Sequence, residues 1–292
     1  MDNDGKLVKL EVDGYRYYYR LYKNPSSHLT PVFIFNGFLQ NMNSWIKYIK
    51  YFISDSSVII ADLPGAGKAD TISEGEFDLE RMGYYVYRIL EKVEIEQIDI
   101  ISASYGASIA YGFAKNYPDN VKSIMAAGTM SSLNEELRQQ IEQSVKYVRL
   151  NKMNLFADVI IKMLLNEEKK NSINKFYVVK KLLYNQFKNL SDHDKEKYVI
   201  NCRHLLNHPV LDVSLSKDIK KLIVTGEHDK FTKPENGKEL AAILSNCIFT
   251  TLKNADHLFH LEQTSVTLNM IKKFFRDEQL ESVPGINTIE YY

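Results

Sequence analysis

The sequence predicts an α/β fold on a mostly parallel sheet, and three observations predict it. Short apolar runs bounded by turn residues recur along the sequence, as in strands covered on both faces. Between them lie segments whose apolar residues recur every three or four positions, the spacing of helices with one buried face. In Ser102-Ala103-Ser104-Tyr105-Gly106-Ala107 a strand-like run passes through small residues straight into a helix-like one, leaving a serine at the junction.

Taken in order, Leu7–Leu10 and Tyr15–Tyr22 flank Asp13-Gly14, the dipeptide of a tight hairpin, and form an antiparallel edge. Val32–Phe35 and Ser57–Ala61 are buried parallel strands. Leu79, Met82, Val86, Ile89 and Val93 mark a helix. The strand Ile98–Ile101 enters the small-residue junction and a helix over Ser108–Tyr117 leaves it. Lys122–Ala126, Lys221–Thr225 and Ile248–Leu252 bring the sheet to eight strands, with helices on both faces.

The alternation breaks once. Leu133, Leu137, Ile141, Val145 and Val148, then Phe156, Val159, Ile160, Met163 and Leu164, give helical spacing, and no glycine occurs from Thr129 to Thr225. The expected organisation is a core in two parts, residues 1–129 and 209–278, interrupted by a helical lid over residues 130–208. Insertions at the carboxyl edge of such sheets shape the ligand crevice, although a separate structural domain would read the same way. Residues 279–292 are expected to be a C-terminal tail, in which Pro284–Tyr292 carry no periodicity and are expected to be loosely ordered.

The 37 basic and 37 acidic residues balance, which argues against a nucleic-acid binder. Two cysteines, Cys202 and Cys247, fit buried thiols in a reducing compartment rather than a disulfide scaffold. The first residues are acidic, and no apolar run reaches membrane-spanning length, so a cytoplasmic protein without a membrane span is expected.

Nucleophilic catalysis by serine needs a base, a carboxylate to orient it and donors for the oxyanion. Each has a candidate at a strand end: Asp229 follows Lys221–Thr225, and His257 follows Ile248–Leu252. The order Ser104, Asp229, His257 is that of hydrolases with a nucleophile on a strand-to-helix elbow.

Five motifs then carry a resemblance. They are Phe35-Asn36-Gly37-Phe38, Trp45, the turn Asp62-Leu63-Pro64-Gly65-Ala66-Gly67, Gly226-x-x-Asp229, and Asp256-His257-x-x-x-x-Glu262, together with the elbow itself. In this order they resemble the α/β-hydrolase superfamily from the first hairpin to Lys273. The resemblance implies a Ser104–Asp229–His257 triad and oxyanion donors in the amides of Phe38 and Tyr105. Asn36 stands where that family usually has histidine, and Ser102 where the elbow usually has glycine. In both departures the sequence resembles the rhamnosyltransferase-type 3-(3-hydroxyalkanoyloxy)alkanoate synthases, a family that joins 3-hydroxyacyl groups delivered on acyl carrier protein.

The expected activity is therefore that of a serine acyl hydrolase, an esterase or thioesterase, acting on a lipophilic small-molecule ester or thioester through an acyl-enzyme. An acyltransferase fed by acyl carrier protein is the alternative, and a non-catalytic ligand-binding protein on the same fold is a second. His260 is the rival base and Glu227 the rival acid. His228 reads as a loop residue. No metal or other cofactor is expected: His204 and His208, four residues apart, lack a nearby carboxylate signature, and Gly65-Ala66-Gly67-Lys68 lacks the spacing of a phosphate loop.

Overall fold

The computed structural model describes residues 5–73, 78–207 and 213–292. The protein divides into two compact units, residues 1–127 with 212–221, and residues 128–211 with 222–292.

The first unit opens on the hairpin β1 (Lys6–Val12) and β2 (Tyr15–Tyr22). Val12 pairs with Tyr15, and Asp13 and Gly14 both take positive φ, 53° and 82°, as the two central residues of a tight hairpin turn must. Tyr17 and Tyr19 alternate into the core, and the Tyr17 hydroxyl donates to the Tyr85 carbonyl at 3.2 Å. There follow β3 (Val32–Phe35), α1 (Met42–Phe52), β4 (Val58–Asp62), α2 (Leu79–Val93), β5 (Ile98–Ala103), α3 (Tyr105–Asn116) and β6 (Val121–Ala127). Their strand order is β1-β2-β4-β3-β5-β6, and β3, β4, β5 and β6 run parallel. Every residue of β3, β4 and β5 is buried, which is why these strands read as continuous apolar runs.

The turn after β4 is tied to the start of α1. Asp62 accepts the Met42 amide at 2.8 Å through Oδ1 and the Lys68 amide at 3.0 Å through Oδ2. Asn41 and Ser44 close a reciprocal cap one residue before that helix begins.

The second unit begins with four helices, α4 (Glu135–Arg149), α5 (Met153–Leu164), α6 (Phe176–Lys188) and α7 (Asp192–Asn207). Leu137, Ile141, Val145 and Val148 of α4 and Phe156, Ile160 and Met163 of α5 are buried, as the spacing predicts, whereas Val159 and Leu164 are half-buried and Leu133 lies before α4, also half-buried. Phe156 meets Phe187 and Tyr198 edge-on, and Tyr198 shares a 2.6 Å hydrogen bond with Ser144. Then come β7 (Lys220–Gly226), α8 (Pro234–Ile243), β8 (Cys247–Leu252), α9 (Phe259–Glu262), α10 (Thr264–Phe275) and β9 (Ile286–Tyr291), with strand order β7-β8-β9. The boundary between helical block and core, with His208, lies outside the described residues.

The described residues therefore hold nine strands, one more than the eight expected. The extra strand is the tail. β9 pairs antiparallel with β8, from Ile248 opposite Tyr291 to Leu252 opposite Ile286, and Cys247 and Tyr292 exchange backbone hydrogen bonds at 3.1 and 2.8 Å. A lone six-residue strand is weakly patterned in sequence; its stability comes from satisfying the edge groups of β8.

Candidate active site

In the first unit Ser104 sits between β5 and α3 at φ 49° and ψ −118°. A non-glycine residue held there carries about 1–3 kcal/mol of backbone strain, which persists only where neighbours fix it. They do: the Ser104 amide donates to the Ala127 carbonyl at 2.7 Å, and its carbonyl accepts the Ala107 amide at 2.9 Å. Gly106 is required by close approach, since a Cβ there would lie 2.7 Å from the Asn36 carbonyl oxygen and 2.8 Å from that of Phe35.

Ser102 is accommodated where glycine is usual. Its side chain is buried, and its hydroxyl donates to the Met125 carbonyl at 3.1 Å. Asn36 likewise donates through Nδ2 to the Ala61 carbonyl at 2.8 Å, pinning the loop after β3 to β4. That loop brings Phe38 onto the elbow, where its ring stacks on Tyr105 at 4.3 Å and 14°. Tyr105 is the first residue of α3, in the turn where amides lack helical acceptors and carry partial positive charge.

In the second unit the loops after β7 and β8 bring Asp229 and His257 together, Oδ2 to Nδ1 at 2.8 Å, with their side chains 0% and 3% exposed. Asp229 Oδ1 accepts the amides of Phe231 and Thr232, each at 2.9 Å. The Thr232 hydroxyl donates to Asp229 Oδ2 at 2.5 Å and lies 3.1 Å from His257 Nδ1. With Nδ1 facing a carboxylate, the imidazole proton sits there and Nε2 is left as the acceptor. Phe231 meets the imidazole edge-on at 5.0 Å. Gly128, at φ +57°, makes room for the ring, since a Cβ there would lie 2.7 Å from His257 Cε1.

Burial by itself would depress His257, but the charge of Asp229, its hydrogen bond and the charge of Asp256 together raise its pKa above the ordinary histidine value. Two further carboxyls lie close behind. Burial pushes Asp256 up to about 6 although it accepts the amides of Asn166 and His257 at 2.5 and 2.9 Å. Burial pushes Glu262 up to about 8, and its Oε2 accepts the Asp256 amide at 2.6 Å.

The rival residues lie elsewhere. Glu227 accepts the Asn254 amide at 3.2 Å and pairs with His228 at 3.3 Å. His260 lies on α9, its ring edge-on to Phe259. His204 is buried on α7. Among the described residues no three His, Cys, Asp or Glu side chains are grouped to hold a metal ion.

Two contributors were missed from sequence. Thr232 follows Asp229 by three residues, the spacing at which a hydroxyl and an amide close on an Asp side chain, so a local signal existed. Asn166, on the segment after α5, binds Asp256 through its amide and the His228 carbonyl through Nδ2 at 2.9 Å. Nothing local marks it, because its partners are 90 and 62 residues away.

Residues 30–264 match the family model described as alpha/beta hydrolase fold. A (R)-3-hydroxydecanoyl-ACP:CoA transacylase from Ectopseudomonas oleovorans is 23% identical over 93% of both proteins. A poly(3-hydroxyalkanoate) depolymerase from the same organism is 31% identical over 35% of the present sequence and 36% of its own. The crystal structure of MGS-M2, an alpha/beta hydrolase enzyme from a Medee basin deep-sea metagenome library, superposes with a TM-score of 0.80 at 20% identity, covering 94% of the present sequence and 98% of its own. With a family match across most of its length, the protein belongs to the α/β-hydrolase family and is an enzyme of that family.

Proposed function

We propose that the protein is a serine acyl-transfer enzyme that opens a lipophilic ester or thioester through an acyl-enzyme on Ser104. The observation that carries this reading is the buried Asp229–His257 pair, which leaves Nε2 as a base in the sequence order that the family's elbow serine requires. In the first step His257 Nε2 takes the Ser104 proton as Oγ bonds to the acyl carbon. The amides of Phe38 and Tyr105 stabilise the oxyanion, a contribution of about 2.7–4 kcal/mol for such a donor. The C–S or C–O bond then breaks, and the leaving thiol or alcohol departs with the proton from Nε2. Water, or an acceptor hydroxyl or thiol, gives its proton to Nε2 and bonds to the acyl carbon; the Oγ–acyl bond then breaks and Nε2 returns the proton to Oγ, which regenerates Ser104.

A second reading, acyl transfer from acyl carrier protein to a non-water acceptor, is favoured by the transacylase relative that spans 93% of both proteins. The test of the common step is labelling with a fluorophosphonate. Wild type is expected to take one label at Ser104 and to lose ester turnover with it, and His257→Ala is expected to label far more slowly. A folded wild type that hydrolyses esters without labelling at Ser104 would overturn the assignment.

A further inference from the structure

From Lys169 to Ser191 the sequence carries six lysines and no aspartate or glutamate, in a protein whose 37 basic and 37 acidic residues balance over the whole sequence. Most of this run is α6. One side of α6 is core: Phe176, Val179, Leu183 and Phe187 are buried. The opposite side presents Tyr177, Val178 and Leu182 at 63%, 67% and 52% exposure, and Lys181, Asn185 and Lys188 are exposed beside them. At 100° per residue these six share one face, so the exposed apolar residues form a patch rather than scattered singles. Of the six lysines, Lys180 is paired with Glu167. Lys169, Lys170, Lys181 and Lys188 have no acidic partner among the described residues.

The helix that carries this face packs beside the segment that follows His257. α6 packs against α9, which begins two residues after His257, and Lys175 Nζ lies 3.5 Å from the Leu261 carbonyl oxygen. Asn174 donates its amide to the Asn254 carbonyl at 3.0 Å.

We propose that this face of α6 is the docking surface for an acidic carrier protein that delivers the acyl thioester. The inference rests on the acyl-transfer reading above. Charge complementarity chooses the occupant: an unpaired lysine field around a small apolar centre attracts an acidic helical surface and repels a second copy of itself. Three apolar side chains on a 13-residue helix are few for anchoring to a bilayer, where binding strength scales with buried apolar area.

The test uses the full-length protein with two readouts. Binding of a fluorescent acyl carrier protein is followed by anisotropy, and turnover is compared between 3-hydroxydecanoyl acyl carrier protein and the same acyl group on pantetheine. For Lys181→Glu with Lys188→Glu, carrier Kd and carrier KM are expected to rise roughly tenfold at low salt while kcat and KM on the pantetheine thioester stay at wild-type values. Val178→Ser is expected to weaken carrier binding alone, and Lys181→Arg to bind as wild type. Carrier binding that is absent, or unchanged by the α6 variants, would overturn the docking surface even if pantetheine thioesters are turned over. Loss of both substrates in parallel would overturn it too, as would α6-dependent binding to phosphatidylglycerol vesicles with carrier KM unchanged. Failure of the acyl-transfer reading is seen separately, as absent pantetheine turnover.

Discussion

Replacing Asp229 by asparagine tests how the histidine is held. The Asp229 carboxylate accepts four hydrogen bonds, two backbone amides on Oδ1 and the Thr232 hydroxyl and His257 Nδ1 on Oδ2. An amide nitrogen cannot accept, so the asparagine oxygen must take the two-amide position and its NH₂ must face Thr232 and His257. That NH₂ donates to Nδ1, which moves the imidazole proton to Nε2, the atom that should receive the serine proton. All four contacts persist once the Thr232 hydroxyl rotates, so the fold is expected to tolerate the change, with a Tm within a few degrees of wild type. The kcat for a chromogenic ester is expected to fall about 10⁴-fold, the scale of the same swap in a serine protease, or roughly 5 kcal/mol of barrier. ¹⁵N spectra of the imidazole should show the proton on Nδ1 in wild type and on Nε2 in the variant. A variant with the Nε2 tautomer and kcat within threefold of wild type would refute the reasoning.

Three further outcomes follow from the geometry. In the proposed mechanism His257 acts as a neutral base, and its pKa is raised by Asp229 and Asp256 against the effect of burial, so kcat/KM should climb with pH through an inflection above the ordinary 6.5. In Asp229→Asn that inflection should move down; an unchanged inflection would show that another group is titrating. Glu262 is pushed from 4.5 to about 8, so the folded protein holds a proton that the unfolded one releases between these values, and stability should decline as pH rises across that window. Glu262→Gln keeps an acceptor for the Asp256 amide and should flatten this decline, with a gain on the order of a few kcal/mol above pH 8 in urea melts; parallel pH profiles for variant and wild type would contradict it. A protein ended after Val283 loses β9 and uncovers the edge of β8, so it should lose about 2 kcal/mol or more and scatter light with concentration, whereas an unchanged melting curve would mean the strand contributes nothing.

Much of the architecture was legible because its causes are local. Asp13-Gly14 encodes its turn through positive φ, and β3, β4 and β5 declare themselves by being buried on both faces. The elbow was legible for a steric reason, the absence of room for a Cβ at Gly106. The departures at Ser102 and Asn36 were visible and carried a family resemblance, but how the fold accommodates them was not legible, since that lies in carbonyl partners at Met125 and Ala61 on neighbouring strands. β9 was missed because its stability belongs to β8. The apolar face of α6 was hidden for a related reason: in sequence Tyr177, Val178 and Leu182 look like core, and only packing tells the exposed arc from the buried one. Asn166 joins the helical block to both the His228 and Asp256 loops, a long-range contact that a single sequence does not encode locally.

The central claim is that an acyl group passes through Ser104. Intact-mass spectrometry of wild type and Ser104→Ala, quenched seconds after mixing with a 3-hydroxydecanoyl thioester, tests it most directly. The account predicts a single acyl adduct on wild type, mapped to the peptide containing Ser104 and absent from Ser104→Ala. Turnover by Ser104→Ala at the wild-type rate, or an adduct mapped to another residue, would contradict it.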